Sequence, residues 1–303
     1  MEKTEKINRN KTINKNLIFN LPSGRKIGYA FYGAPNGSPV FAFHGTPGSR
    51  LWFTEDDDES KLQNIKLITV DRPGYGLSTP VKGRSILDFA DDVNALADHL
   101  NIHKYAVLGI SGGSVYSLAC AYRSPDRVIK SSALSSIVPF INGRPPKQMC
   151  AENRSAFFLS KHFPFLSKWI LNKGKKMISK DPDKYIHKVK SQVGHLCPSD
   201  RELIQKEEAG NIILINMKEA TRQSANEGAT EPSLLSKPWG FEPRNIQIPV
   251  EIWHGIDDTL TPIDPVKNYY PDKKNFNLHF LPGKGHFLDG HSDTWREILK
   301  NAI

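Results

Sequence analysis

Short apolar runs alternate with helically spaced apolar residues along the first part of the chain. Runs at 39–43, 65–70, 105–110 and 128–134 each have the length of a buried strand. Between the second and third runs, apolar residues at 86, 87, 89, 93, 96 and 100 have helical spacing, and Ser85 with Asp88 resembles a capping box. A further helix is predicted at 113–122, and 17–32 reads as an opening hairpin. This alternation predicts an α/β fold with a mostly parallel sheet between helices.

The alternation stops after residue 137 and resumes near residue 249. Helical patterns such as 155–172 and 199–226 dominate between these points, without a clear short buried strand. Strands at 250–253 and 276–281 and helices at 264–270 and 294–302 follow. We therefore predict a flexible polar arm at 1–16, an α/β core at 17–137 and 244–303, and a helical insertion at 138–243.

Composition excludes several classes of protein. Of the 303 residues, 38% are hydrophobic, which suits a globular chain with a full core. No apolar run approaches the roughly 18 residues that a membrane-spanning helix needs, and the lysine-rich first sixteen residues lack the apolar segment of a signal peptide. Cys120, Cys150 and Cys197 have no C-x-x-C spacing, which favours neither disulfides nor a zinc site. We expect a cytoplasmic protein.

The positive charge is concentrated in one part of the insertion. Between residues 140 and 190 there are twelve Lys or Arg residues and three Asp or Glu residues, a difference of nine that equals the net charge of the whole chain, +9. With no nucleic-acid motif visible, we expect no nucleic-acid partner. We interpret the lysines as a solvated face. Steering of an anionic substrate and contact with an anionic membrane surface are the alternatives.

A nucleophile motif stands at the start of the helix predicted at 113–122. Gly109-Ile-Ser111-Gly-Gly113 has the G-x-S-x-G pattern directly after a strand. Glycines are needed because bulky side chains would clash around a serine on a sharp strand-to-helix turn, and the start of the helix offers backbone N–H groups to a developing oxyanion. Ser114 is a poorer candidate, since Tyr116 stands where its second glycine would have to be.

A catalytic serine needs a base and an acid that orients the base. Asp257 and Asp258 follow the strand predicted at 250–253, and His286 follows the strand predicted at 276–281 in a glycine-flanked loop. The order serine, aspartate, histidine at strand ends predicts a triad. The residues alone do not choose between the two aspartates.

These motifs together resemble the α/β-hydrolase family. The resemblance rests on His44-Gly-Thr-Pro-Gly-Ser-Arg50, Asp71-Arg-Pro-Gly-Tyr-Gly-Leu-Ser78, the turn at Ser111 and the late aspartate and histidine loops, and it covers the core, about two-thirds of the chain. It implies an α/β-hydrolase fold: a mostly parallel central sheet flanked by helices, with a helical cap inserted after the sixth strand.

The resemblance also implies roles for single residues. The spacing of the family's acid loop, G-x-x-D-x-x-x-P, selects Asp258, and the histidine loop selects His286 over His254 and His291. The backbone N–H groups of Thr46 and Gly112 are implied to form the oxyanion hole. We interpret His44 as a support for that loop, while also naming it with Phe158, Phe165 and Trp169 as a candidate for the substrate pocket. Packing of the cap onto the core is the alternative for the aromatic residues.

The function implied is hydrolysis of a small or medium carboxylic ester by Ser111, Asp258 and His286, without metal or cofactor. Amide, lactone and C–C bond hydrolysis remain open, as does a non-catalytic binding or sensor protein. Ser111 disfavours dehalogenases and epoxide hydrolases of this fold, which use aspartate at that position. Proline iminopeptidases have H-G-G-P-G and a tryptophan after the serine, where this chain has Thr46 and Gly112. A small-molecule substrate is expected, and the oligomeric state is left open.

Overall fold

The computed structural model describes residues 15–270 and 273–303. Residues 1–14 of the predicted arm lie outside this part of the chain. The last two residues of the predicted arm, however, are bound to the core. The buried Arg50 guanidinium donates to the carbonyl of Lys15, at 2.7 Å, and to the side chain of Asn16. The first described residues are therefore not part of a free arm.

The centre of the fold is an eight-stranded sheet in the order β1-β2-β4-β3-β5-β6-β7-β8. The β1-β2 and β2-β4 pairs are antiparallel, and all other pairs are parallel. The mostly parallel sheet of an α/β hydrolase fold is thereby confirmed. The strands are β1 Leu17–Asn20, β2 Lys26–Gly33, β3 Ser38–Phe43, β4 Ile65–Val70, β5 Tyr105–Ile110, β6 Val128–Leu134, β7 Val250–Gly255 and β8 Phe276–Leu281.

Helices cover both faces of this sheet. Side chains alternate along each strand, so Phe43 packs toward one buried cluster with Phe89, while Ala42 packs toward the other with Trp295. Burial on both faces explains why the central strands read as unbroken apolar runs. The α-helices are α1 Asp57–Leu62, α2 Leu87–His99, α3 Gly112–Arg123, α4 Ala151–His162, α5 Pro164–Lys180, α6 Pro182–Ser191, α7 Pro198–Gln205, α8 Glu207–Ala220, α9 Glu227–Leu235, α10 Ile263–Tyr269 and α11 Ser292–Lys300.

Helices α4 to α9 form the segment between β6 and β7. The helical pattern at 155–172 is two helices, not one, and it breaks at Phe163 (φ −132°, ψ 58°). Pro164 is the reason, because proline lacks the N–H that would continue α4 and disfavours helical backbone in the residue before it. The pattern at 199–226 also contains two separate helices. They are divided at Lys206, whose backbone is extended. Across 15–270 and 273–303, no helix combines the length and hydropathy required to cross a membrane.

A buried ion pair joins these helices to the core. Arg72, in the loop after β4, donates from Nε and Nη2 to the two carboxylate oxygens of Glu231 on α9, at 2.7 Å each, and both side chains are fully buried. Burial opposes ionisation of Glu231, but the charge and hydrogen bonds of Arg72 outweigh it and lower the pKa of the carboxyl. The hydroxyls of Thr46 and Tyr75 donate to the same carboxylate, at 2.6 and 3.1 Å.

We expect Glu231→Gln to lower the free energy of unfolding by about 3 kcal/mol, because it leaves the Arg72 charge buried without a counter-charge. Urea unfolding followed by circular dichroism measures the change. The control is Asp91→Asn, which breaks the half-exposed Asp91–Arg123 pair and is expected to have little effect. Equal stability of the two variants would show that the buried pair is not what holds α9 to the core.

Candidate active site

Four neighbouring parallel strands bring the candidate residues to one edge of the sheet. Ser111 follows β5, Ser135 follows β6, Asp258 lies just beyond β7, and His286 lies beyond β8. The carboxyl ends of parallel strands meet at the same edge, where ligand sites of α/β sheets form. The Ser111 amide donates to Leu134 at 2.8 Å, and the Ser135 hydroxyl donates to the carbonyl of His286 at 2.6 Å. Ser135 thus lies between the serine and the histidine.

Ser111 has the strained backbone expected of a nucleophile on a sharp turn. Its φ of 54° and ψ of −121° lie in a region that residues other than glycine rarely adopt. A Cβ on Gly109 would lie 2.1 Å from the carbonyl oxygen of Gly113, and a Cβ on Gly113 would lie 2.3 Å from that of Phe43. The flanking glycines are therefore required by backbone contacts, as the motif predicts.

The structure pairs His286 with Asp258. His286 Nδ1 lies 2.8 Å from Asp258 Oδ2, while the neighbouring Asp257 is exposed. Asp258 is buried and accepts further hydrogen bonds from the amides of Leu260 and Thr261 and from the Thr261 hydroxyl, each at 2.8 Å. Because the carboxylate can only accept, the histidine carries its proton on Nδ1, and Nε2 is left as the base.

Electrostatics stabilise the charged form of both partners. Burial disfavours the imidazolium of His286, but the charge and hydrogen bond of Asp258 outweigh it and raise the pKa of the histidine. Burial likewise disfavours the Asp258 carboxylate, and the pair with His286 reverses this effect, so the pKa of the aspartate is lowered. The pair is suited to hold a proton taken from a serine.

The contact between serine and histidine is open. Within the described residues, Ser111 Oγ makes no hydrogen bond, either with His286 or with another side chain. Such contacts are often long in enzymes without substrate and shorten when substrate binds. The structure therefore shows the histidine–aspartate pair of the predicted triad and places Ser111 at the same edge of the sheet.

Thr46 and Gly112 lie in contact at the start of α3. A Cβ on Gly112 would come within 2.1 Å of Thr46 Oγ1. As the first residue of a helix, Gly112 has no intrahelical acceptor for its N–H, and neither this N–H nor that of Thr46 donates to an acceptor in the described part of the chain. Arg72 Nη2 donates to Thr46 Oγ1 at 3.0 Å, which fixes the loop through the Arg72–Glu231 pair.

His44 supports this loop and does not line a pocket. Its side chain is fully buried, with Nδ1 2.8 Å from the carbonyl oxygen of Gly45 and Nε2 accepting from the Arg72 amide at 3.4 Å. Burial, aided by the Arg72 charge, lowers the pKa of His44 well below its ordinary value and keeps the ring neutral. The pocket role named for His44 is corrected here, whereas its interpretation as a structural histidine agrees with these contacts.

The aromatic residues named for the pocket point to solvent instead. Phe158, Phe165 and Trp169 are 52%, 84% and 50% exposed. A cavity of about 450 Å³ lies between α5, α6 and α8, and none of these three aromatic residues lines it. Its apolar wall includes Leu171, Met177, Ile178, Val189 and Met217, and it reaches Pro47, next to Thr46. Apolar residues lie on both faces of α5, and spacing alone does not say which face is covered.

Asp200 supports the site and was not identified from the sequence. Asp200, in the first turn of α7, is fully buried and accepts from the amides of His286 (2.8 Å) and Phe287 (3.2 Å). It has no Lys or Arg partner within 15–270 and 273–303, and its charge helps to raise the pKa of His286. A Cβ on Gly285 would lie 2.2 Å from Asp200 Oδ2, so the glycine before His286 makes room for this contact. In the sequence, Asp200 is indistinguishable from an ordinary acidic residue at a helix start.

Comparisons with known proteins agree with this geometry. A family model described as alpha/beta hydrolase fold matches residues 38–288. A probable proline iminopeptidase from Leptolyngbya boryana is 37% identical over 106 residues, which cover 33% of this chain and 32% of that protein. The chain thus matches about a third of the length of this relative and about a quarter of the proline iminopeptidase of Arabidopsis thaliana (26% of that protein, 33% identical).

Solved structures resemble the chain over nearly its full length. An epoxide hydrolase solved without ligand has a TM-score of 0.72 at 19% identity, covering 95% of this chain and 97% of that one. An esterase from Exiguobacterium antarcticum has a TM-score of 0.67 at 18% identity, covering 94% and 98%. At these identities the likeness concerns the fold.

We expect Asp258→Asn to lower kcat by about four orders of magnitude, since the histidine loses the group that orients it and stabilises its charge. Only neutral His286 can accept a proton, so wild-type kcat/KM should fall as the pH drops through the raised pKa of His286. Without the carboxylate this acidic limb should move to lower pH. Asp257→Asn is the control, and a loss of this size in that variant alone would reverse the choice of aspartate.

We expect Asp200→Asn to lower kcat about 10- to 100-fold, because the loop that carries His286 loses its anchor. The acidic limb of the pH profile should also move to lower pH, since a negative charge beside His286 is removed. Glu202→Gln removes the same charge from an exposed position on α7 and should change neither quantity. A loss of stability with an unchanged pH profile would assign Asp200 a purely structural role.

Proposed function

Because the chain belongs to the alpha/beta hydrolase fold family, we propose that it is a serine hydrolase whose nucleophile is Ser111. The observation that carries this proposal is the buried Asp258–His286 pair, 2.8 Å apart, at the sheet edge where strained Ser111 begins α3. A pair of this kind beside a serine on a glycine-flanked turn is the arrangement that activates a hydroxyl for acyl transfer.

The residues suggest a two-step reaction. His286 Nε2 takes the Ser111 proton while Oγ attacks the substrate carbonyl, and Asp258 stabilises the imidazolium that forms. The N–H groups of Gly112 and Thr46 hold the oxyanion of the tetrahedral intermediate. His286 then returns the proton to the leaving group, which departs and leaves an acyl-enzyme. Water, activated by the same histidine, releases the acid and restores Ser111.

We propose that the substrate is a small or medium carboxylic ester. The apolar cavity of about 450 Å³ beside Pro47 has the size and lining for such a group. Thr46 and Gly112 depart from the iminopeptidase pattern of the oxyanion loop and the serine turn. The three cysteines are free, which suits a reaction in the reducing cytosol.

Release of an N-terminal residue from a peptide is the second candidate. It is favoured by the curated relatives named as proline iminopeptidases, which match about a third of this chain. The chemistry of Ser111 is the same for an ester and for an amide, so only the choice of substrate separates the two candidates.

A fluorophosphonate should add once to the wild-type protein, and intact mass and peptide mapping should place the adduct on Ser111 rather than Ser114. Ser111→Ala should give no adduct, and His286→Ala should react at least about a hundredfold more slowly, because the serine loses its base. Absence of labelling on folded wild-type protein would favour a binding or sensor protein that keeps the fold without turnover.

We expect kcat/KM for p-nitrophenyl esters of short to medium acyl length to exceed that for proline p-nitroanilide by at least about tenfold. The Ser111→Ala variant measures the background of both assays. A preference for the proline amide would replace the ester by the peptidase function and leave the role of Ser111 intact.

A further inference from the structure

The outer surface of α4 and α5 carries an exposed apolar patch. It is formed by six side chains whose exposure lies between 42% and 84%: Phe158, Phe163, Phe165, Leu166, Trp169 and, at the border with the cavity, Ile170. The patch is continuous, because the Phe158 and Phe163 ring centroids are 6.0 Å apart, and the other four residues occupy the first two turns of α5 at i, i+4 spacing. Soluble monomers rarely expose such a group of large side chains without a binding role.

Exposed lysines follow the patch along the chain. Lys173, Lys176 and Lys180 lie on the last turns of α5, and Lys184 and Lys188 lie on α6, where Lys188, like Lys173, also borders the cavity. Lys173 Nζ lies 3.5 Å from the centre of the Trp169 ring, which places the boundary between the apolar and cationic parts at this pair. No carboxylate lies within ion-pairing distance of these five ammonium groups among the described residues.

This combination fits one kind of partner. Aromatic and aliphatic side chains that lie beside lysines on one helical face are the features by which helices bind in the plane of a bilayer. Tryptophan is favoured at the level of the lipid headgroups, and lysines gain energy near anionic lipid. We propose that the α4–α5 face is a membrane-surface site that binds bilayers containing anionic lipid.

A second copy of the chain fits less well. A two-fold interface places the same patch against itself, so the lysine rows of two subunits would lie close to one another. The excess of nine positive charges between residues 140 and 190 would then repel across the interface. An anionic surface neutralises this charge, whereas a second copy doubles it.

The test is co-sedimentation of the full chain with vesicles of phosphatidylcholine alone and of phosphatidylcholine mixed with phosphatidylserine. We expect binding to the mixed vesicles, little binding to the neutral ones, and a decrease as salt is raised. The double variant Phe165→Ser with Trp169→Ser should reduce binding at least about tenfold through lost apolar burial. Lys176→Gln with Lys180→Gln should reduce it about tenfold through lost charge.

Matched controls remove the same groups elsewhere. Leu62→Ser alters an apolar side chain that is 75% exposed and lies outside the patch. Lys82→Gln with Lys300→Gln removes two lysines from the surface of the α/β part of the chain, outside the insertion. Both should bind like the wild type. Fluorophosphonate labelling of Ser111 in solution should be unchanged in every variant, so a negative result here leaves the proposed hydrolase function untouched.

Three outcomes would overturn the proposal. The first is equal binding to neutral and mixed vesicles, and the second is equal loss in patch and control variants. The third is a dimer in size-exclusion chromatography that the Phe165→Ser, Trp169→Ser variant converts to a monomer, since the patch would then be the contact between two copies.

Discussion

The buried pair of Arg72 and Glu231 determines how the parts of the site meet. Arg72 comes from the loop after β4, Glu231 from the last helix of the insertion, and Thr46, which bonds both, from the loop after β3. A buried pair adds little net stability, because desolvation of both charges offsets their attraction, whereas an arrangement that separates the partners is costly. The pair therefore acts mainly on geometry: it favours those structures in which α9 lies over the loop of Thr46.

The insertion supplies buried carboxylates to two loops of the site. Asp200 of α7 accepts from the amides that carry and follow His286, while Glu231 of α9 accepts from Thr46. The core thus supplies the three side chains of the candidate triad, and the insertion supplies a carboxylate to the loop on either side of them. Both carboxylates are fully buried, so displacing either helix would leave buried donors or charges without partners. The helices over the sheet are part of the framework of the site as well as its cover.

The sequence predicts the residues at the strand ends and misses their supports, for a physical reason. Strands buried on both faces read as apolar runs, and the motif at Ser111 and the loop of Asp258 follow such runs, β5 and β7. His286 follows the edge strand β8, which is partly exposed, and is marked instead by its glycine-flanked loop. Asp200 and Glu231 reach the site only through tertiary packing, 86 and 185 residues from the partners they bind. An acidic residue in the first turn of a helix, or within a short helix that contains proline, has nothing local to mark it as a support.

Helix α5 shows the same limit for an apolar surface. Its sequence has large apolar residues on two faces, one with Phe165 and Trp169 and one with Leu171 and Ile178. Hydrophobic spacing predicts that both faces favour apolar surroundings but not what supplies them. In the structure, Leu171 and Ile178 line the cavity that reaches Pro47, whereas Phe165 and Trp169 are uncovered beside a row of lysines. Two apolar faces on one helix therefore favour two different surroundings, and within residues 15–270 and 273–303 the fold supplies only the inner one.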